Sequence, residues 1–134
     1  MKFMLMMNAP RGTGDWNIFA WSKAEMDAHM AHMHAINQDL KRAGEFVGGE
    51  GLLPPKDARI VTAGADARPQ VTDGPFAETK EFLAGYWIIE TASPERAYEI
   101  AARASAAPGR GGKPLNMPIE VRQVYSAPPV VSEV

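Results

Sequence analysis

Asp73, Gly74, Pro75 and Phe76 stand in a row in the stretch VTDGPFAETKEFLAGYWIIE, and Glu78, Lys80 and Glu81 follow within a few residues. An Asp-Gly-Pro segment is first a turn, because the aspartate accepts from nearby backbone amides while glycine and proline shape the chain. The same residues can also build a site. The Gly74 amide and the Lys80 ammonium would receive an anionic oxygen, Asp73 would act as base or orienter, and Phe76 would supply an apolar contact. The connection from Asp73 to Leu83 is long for a hairpin, and it gathers more charge than a turn requires. Both readings stand.

The histidines are His29, His32 and His34. On a helix, Glu25, His29 and His32 share one side, beside Met26, Met30 and Met33, and His34 falls on the other flank. A Glu-His-His stripe invites a metal. Glu25 has other work, described below, and no further ligand is visible, so neither a metal nor any other cofactor is expected. His32, or His29, remains a candidate acid or base; the alternative is packing. Trp21 closes an aromatic group, with Trp16 and Phe19, that serves as a core lid or as one wall of a pocket for an aromatic substrate. Glu50 is a lone acid in a glycine-rich apolar bend, and it lines a pocket or faces solvent. Gly48-Gly49-Glu50-Gly51 lacks the ending of a phosphate loop; the Gly109–Lys113 run suits an anion better, but reads first as a solvated loop.

These residues need elements to hold them. Residues 2–7 form an apolar strand and 8–17 a loop. Ser22 and Glu25 make a capping box for a helix whose stripe runs Met26, Met30, Met33, Ile36, Leu40 and which Gly44 stops. Residues 45–53 read as a strand with a bulge or close backbone approach at its glycines. Residues 59–63 and 70–72 pair across a turn at 64–66. Residues 84–91 are the strongest strand. Ser93 and Pro94 start a second helix with Ala97, Ile100, Ala101 and Ala104 on its inner face. Residues 105–118 are too rich in glycine and proline for regular structure, 119–125 are a final strand, and 126–134 a tail.

The order is therefore β, α, β, hairpin, β, α, β, in one domain over residues 1–125. It predicts an α+β ferredoxin-like sandwich, a mostly antiparallel sheet with both helices on one face. The other face would be bare. Tyr86, Trp87, Ile88 and Ile89, apolar in both directions, fit a homodimer that buries it. The chain has 134 residues, a net charge of −2 and no cysteine. This excludes disulfides and thiolate chemistry and argues against a nucleic-acid partner. No apolar run reaches the roughly 18 to 20 residues of a membrane span, and no secretory leader is visible, so a cytoplasmic location is expected.

The segment Val71–Gly85 resembles the signature of the DGPF (DGPFAETKE) group of the YCII-related family. MKFMLMM at the start, GEFVGGEGLLPP at 44–55 and IEVRQV at 119–124 are similar to that group as well. The resemblance implies a ferredoxin-like unit that pairs into a dimeric α+β barrel. Some relatives are implicated in removing chloride from chlorinated aromatic hydroquinones with a His–Asp pair, and DGPF genes lie beside those of extracytoplasmic-function sigma factors. Shorter relatives carry a first-helix histidine about eleven residues before the glycine that ends the helix. In this chain Met33 holds that place, flanked by His32 and His34.

Two functions follow as expectations. One is a small-molecule enzyme of lyase or isomerase type, its pocket between the sheet, the first helix and the 73–83 loop. The other is a non-catalytic ligand-binding or signalling accessory protein, with a sigma factor as partner by family analogy.

Overall fold

The computed structural model describes residues 1–10, 20–74 and 81–125. Its strands are β1 (Lys2–Pro10), β2 (Phe46–Gly51), β3 (Arg59–Ala63), β4 (Pro69–Asp73), β5 (Glu81–Glu90) and β6 (Ile119–Gln123); its helices are α1 (Lys23–Arg42) and α2 (Pro94–Ser105). Four strands make one antiparallel sheet in the order β2-β5-β1-β6, and β3 and β4 form a separate hairpin inserted between β2 and β5. The chain has an α+β ferredoxin-like fold.

The ends of both helices obey their sequence signals. The Ser22 hydroxyl accepts from the Glu25 amide at 3.1 Å, and the Glu25 carboxylate accepts from the Ser22 amide at 2.8 Å. Gly44, at φ +72°, takes the left-handed turn that follows the C-cap of α1. Ser93 accepts from the Arg96 amide, with Pro94 in the first turn of α2. Arg96 then grips Glu45 with two nitrogens, each at 2.9 Å, and ties α2 to the start of β2.

Strand alternation divides the apolar residues between two faces. Phe3, Leu5, Trp87 and Ile89 turn toward the helices and join Ile36, Leu40 and the small face of α2 in one core. Burying Leu5, Ile36, Leu40 and Ile89 completely contributes about 1.5 to 3 kcal/mol each. Met4, Met6, Tyr86 and Ile88 occupy the opposite face, all partly exposed, and neither helix covers it. Of the four residues Tyr86–Ile89 expected to serve a dimer, only Tyr86 and Ile88 stand on the uncovered face. A two-residue period sends Trp87 and Ile89 into the core.

Two strands are longer than their sequence suggests. β1 continues through Asn8-Ala9-Pro10 and β5 begins at Glu81, because after a bulge at Met7/Asn8 those residues pair with Leu83, Phe82 and Glu81. The glycines of β2 behave as their pattern implies. The register shifts between Phe46 and Gly48, and a Cβ at Gly49 would stand 2.9 Å from both Cδ1 of Trp87 and the Tyr86 carbonyl oxygen. Only glycine lets the indole lie this close to the strand.

Residues 105–117 double back on themselves instead of wandering. Leu115 donates to the Ala107 carbonyl, Gly109 to that of Lys113, and Met117 to that of Ser105, with a short 3₁₀ turn at Arg110–Gly112 as the tip.

Candidate functional site

One side of α1 is fastened to the last turn of α2 and to the segment that follows it. Glu25 accepts from the Gly111 amide at 2.5 Å, the His29 Nδ1 meets the Pro108 carbonyl oxygen at 3.0 Å, and the His32 Nε2 meets the Arg103 carbonyl oxygen at 2.8 Å. Positions 25, 29 and 32 are the helical spacing of one face. The stripe that the sequence offered as a metal candidate is thus engaged with backbone. Among the described residues, no three His, Asp or Glu side chains converge as metal ligands.

The doubled-back loop, α1 and the sheet enclose a cleft of about 690 Å³. α1 contributes His29, Met30, Met33 and Asn37. The sheet supplies Met7, Gly49, Gly85 and Trp87. Leu115 and Met117 close one side, and Leu52, Leu53, Pro54 and Pro55 form the outer end. The walls are mostly apolar with a few polar groups, the composition of a small-molecule site. A second concavity of about 590 Å³ adjoins the outer end, where Asp57 and Glu81 are its charged residues. Its described lining includes no histidine, whereas that of the first includes His29.

His29 is buried, and its ring stands edge-on to Trp21 with centroids 5.2 Å apart. A carbonyl oxygen can only accept, so the contact with Pro108 requires the proton on Nδ1. In the neutral ring Nε2 is then the free lone pair. Nε2 has no hydrogen-bond partner among the described residues, and none of their buried side-chain nitrogens or oxygens is left unpartnered. Nε2 is therefore accessible, from the cleft that His29 lines. Burial pushes the imidazole below its ordinary pKa. The Pro108 hydrogen bond opposes that shift, and nearby His32 adds to it. At neutral pH the group is an uncharged base.

The sequence candidates fall in different places. Trp21 is buried in the cleft wall. Glu50 lines the rim; its register partner is Tyr86, so its side chain shares the face opposite the helices. His32 is absent from the lining, its Nε2 turned to the Arg103 carbonyl oxygen. Asp73 ends β4 with its side chain 97% exposed, 3.8 Å from Arg59, and it too is outside the cleft. The Gly74 amide is taken by the Ala58 carbonyl oxygen at 2.9 Å, so it is not an anion receptor. Asp73 and Gly74 form the junction of a hairpin. Phe76 and Lys80 lie outside the described residues.

Helix geometry separates the two histidines. At 3.6 residues per turn, His29 falls about 20° from each of Ile36 and Leu40, in the middle of the buried stripe, and His32 lies on its flank. Asn37 was missed, although it stands one turn after Met33 on the cleft face. A polar residue on an apolar face was its signal.

A family model described as the YCII-related domain matches residues 1–110. A curated protein of Rhizobium meliloti (strain 1021), itself described as uncharacterised, is 37% identical over 82 residues, which are 61% of this chain and 65% of that protein.

Proposed function

Since the chain belongs to the YCII-related family, we propose that its cleft binds a small, largely apolar organic molecule and that His29 moves a proton on it. The supporting observation is the orientation of His29: a buried, neutral ring with Nδ1 held by Pro108 and Nε2 left for the cleft. The position that carries a histidine in shorter relatives is Met33. It lines the same cleft one turn further along α1 than His29. One base suffices for chemistry of lyase or isomerase type. Nε2 takes a proton from the bound molecule. The proton either returns at another atom or stays on the ring while a leaving group departs with its electron pair.

A second reading, binding without chemistry, draws on another observation. Among the described residues, no carboxylate is hydrogen-bonded to His29. Glu25, one turn away, is occupied by the Ser22 and Gly111 amides, with Gly111 the larger cause of its lowered pKa. An accessory role beside a sigma factor belongs to this reading.

Mass spectrometry separates the two. The protein is purified with any retained small molecule, transferred to deuterium oxide, and the released molecule is weighed. Proton transfer at carbon gives uptake of one deuterium in the wild type and none in His29→Asn. Binding alone gives a retained molecule of unchanged mass in both.

A further inference from the structure

We infer that Asn37 reads one end of the ligand, and that the cleft takes an uncharged molecule presenting a carbonyl-type acceptor there; this rests on the small-molecule reading above and adds the ligand's polarity to it. The Asn37 Oδ1 receives the indole N–H of Trp87 at 2.7 Å. An indole nitrogen can only donate, so the oxygen of the amide must face it, and the amide has a single orientation. The indole is itself immobile: buried in the core, and so near β2 that a Cβ at Gly49 would collide with its Cδ1.

Trp87 therefore fixes where the Asn37 Nδ2 points. Nδ2 makes no hydrogen bond among the described residues, and none of their buried polar side-chain atoms is unpartnered, so it is open to the cleft that Asn37 lines. Two N–H donors set in a wall with Met33 and Trp87 lose water when the cleft fills. The loss is offset only if the occupant accepts a hydrogen bond. His29 and Asn37 are eight residues apart on one helix, about 12 Å along its axis. The His29 Nε2 takes a donor and the Asn37 Nδ2 meets an acceptor, so the cleft has a direction. Among its described lining residues there is no Lys or Arg, and the one carboxylate, Glu50, stands at the rim with its side chain on the opposite face, so nothing offsets the desolvation of an anion.

The probes are the acetyl, isopropenyl and carboxylate derivatives of naphthalene, substituted at one common position. The acetyl and isopropenyl compounds share a shape, and only the former carries an acceptor. Binding to the full chain is followed by tryptophan fluorescence and by the Asn37 side-chain NH₂ resonances. The expected result is that the ketone shifts those resonances and the alkene does not, and that naphthoate binds more weakly than the ketone. In Asn37→Asp one oxygen keeps the Trp87 bond and the other offers an acceptor in place of the donor. This variant should weaken ketone binding by at least about fivefold and alter alkene binding by less than about twofold. Equal weakening of both, unshifted wild-type NH₂ signals, or naphthoate as the tightest probe overturns the inference and leaves the cleft reading standing. Failure of all three probes to saturate overturns the cleft reading and this inference with it. If Asn37→Asp does not fold, the wild-type NH₂ shifts decide.

Discussion

At the scale of single residues, what a side chain faces decides more than its type. Three histidines lie within six positions of one helix, and only His29 has its ring in the cleft wall. Its depressed pKa carries a linkage consequence. The unfolded chain takes up this proton near the ordinary histidine pKa of about 6.5, and the folded chain does so only at lower pH. Between those limits the unfolded state binds more protons, so stability falls as pH drops below about 6.5. Urea titrations of wild type and His29→Asn from neutral pH downward should show this slope in the wild type and its loss in the variant. Glu45 and Asp39, both lowered by hydrogen bonds from arginine, act in a separate and more acid window. Asp73 has little to lose. Asp73→Ala should shift Tm by no more than about 2 °C, whereas Gly74→Ala, whose Cβ would stand 3.2 Å from the Ala58 carbonyl, should lower it by several degrees.

At the scale of elements, the sequence was read correctly wherever a local rule was decisive. The capping box at Ser22, the Ser93-Pro94 helix start and the glycine bend of β2 all form. What was missed depends on pairing between distant segments. The extension of β1 to Pro10 exists because β5 offers partners from Glu81 onward, and the ordering of 105–117 comes from bonds between its own two limbs. The site was less legible for the same reason. Asp-Gly-Pro announces a turn but not which element the turn abuts, and the partner of Gly74 is Ala58, sixteen residues back. β2 allows a direct test. Gly49→Ala forces a methyl group against Trp87 and should cost about 1 to 3 kcal/mol in urea unfolding monitored by tryptophan fluorescence.

At the scale of the whole molecule, the sheet has one face covered by helices and one carrying Met4, Met6, Tyr86 and Ile88. Association of two chains through that face, into a dimeric barrel, is the proposal that follows, and an interface of this obligate kind buries at least about 2,000 Å². Sedimentation velocity at micromolar concentration should find a dimer. Ile88→Asp should give a folded monomer, because the carboxylate enters an interface. Trp87→Asp should unfold the chain at a cost of about 4 kcal/mol or more, because it enters the core. A wild-type monomer would remove the dimer. No helix among the described residues is long and apolar enough to cross a membrane.

The central claim is that His29 offers the cleft a neutral, proton-accepting Nε2. Long-range ¹H–¹⁵N correlation spectra of the histidine rings, recorded across a pH titration, test it most directly. The expected result is a proton on Nδ1, a bare Nε2 at neutral pH, and a midpoint below the ordinary value of about 6.5. A proton on Nε2 of the neutral ring, or a midpoint at or above that value, would contradict it.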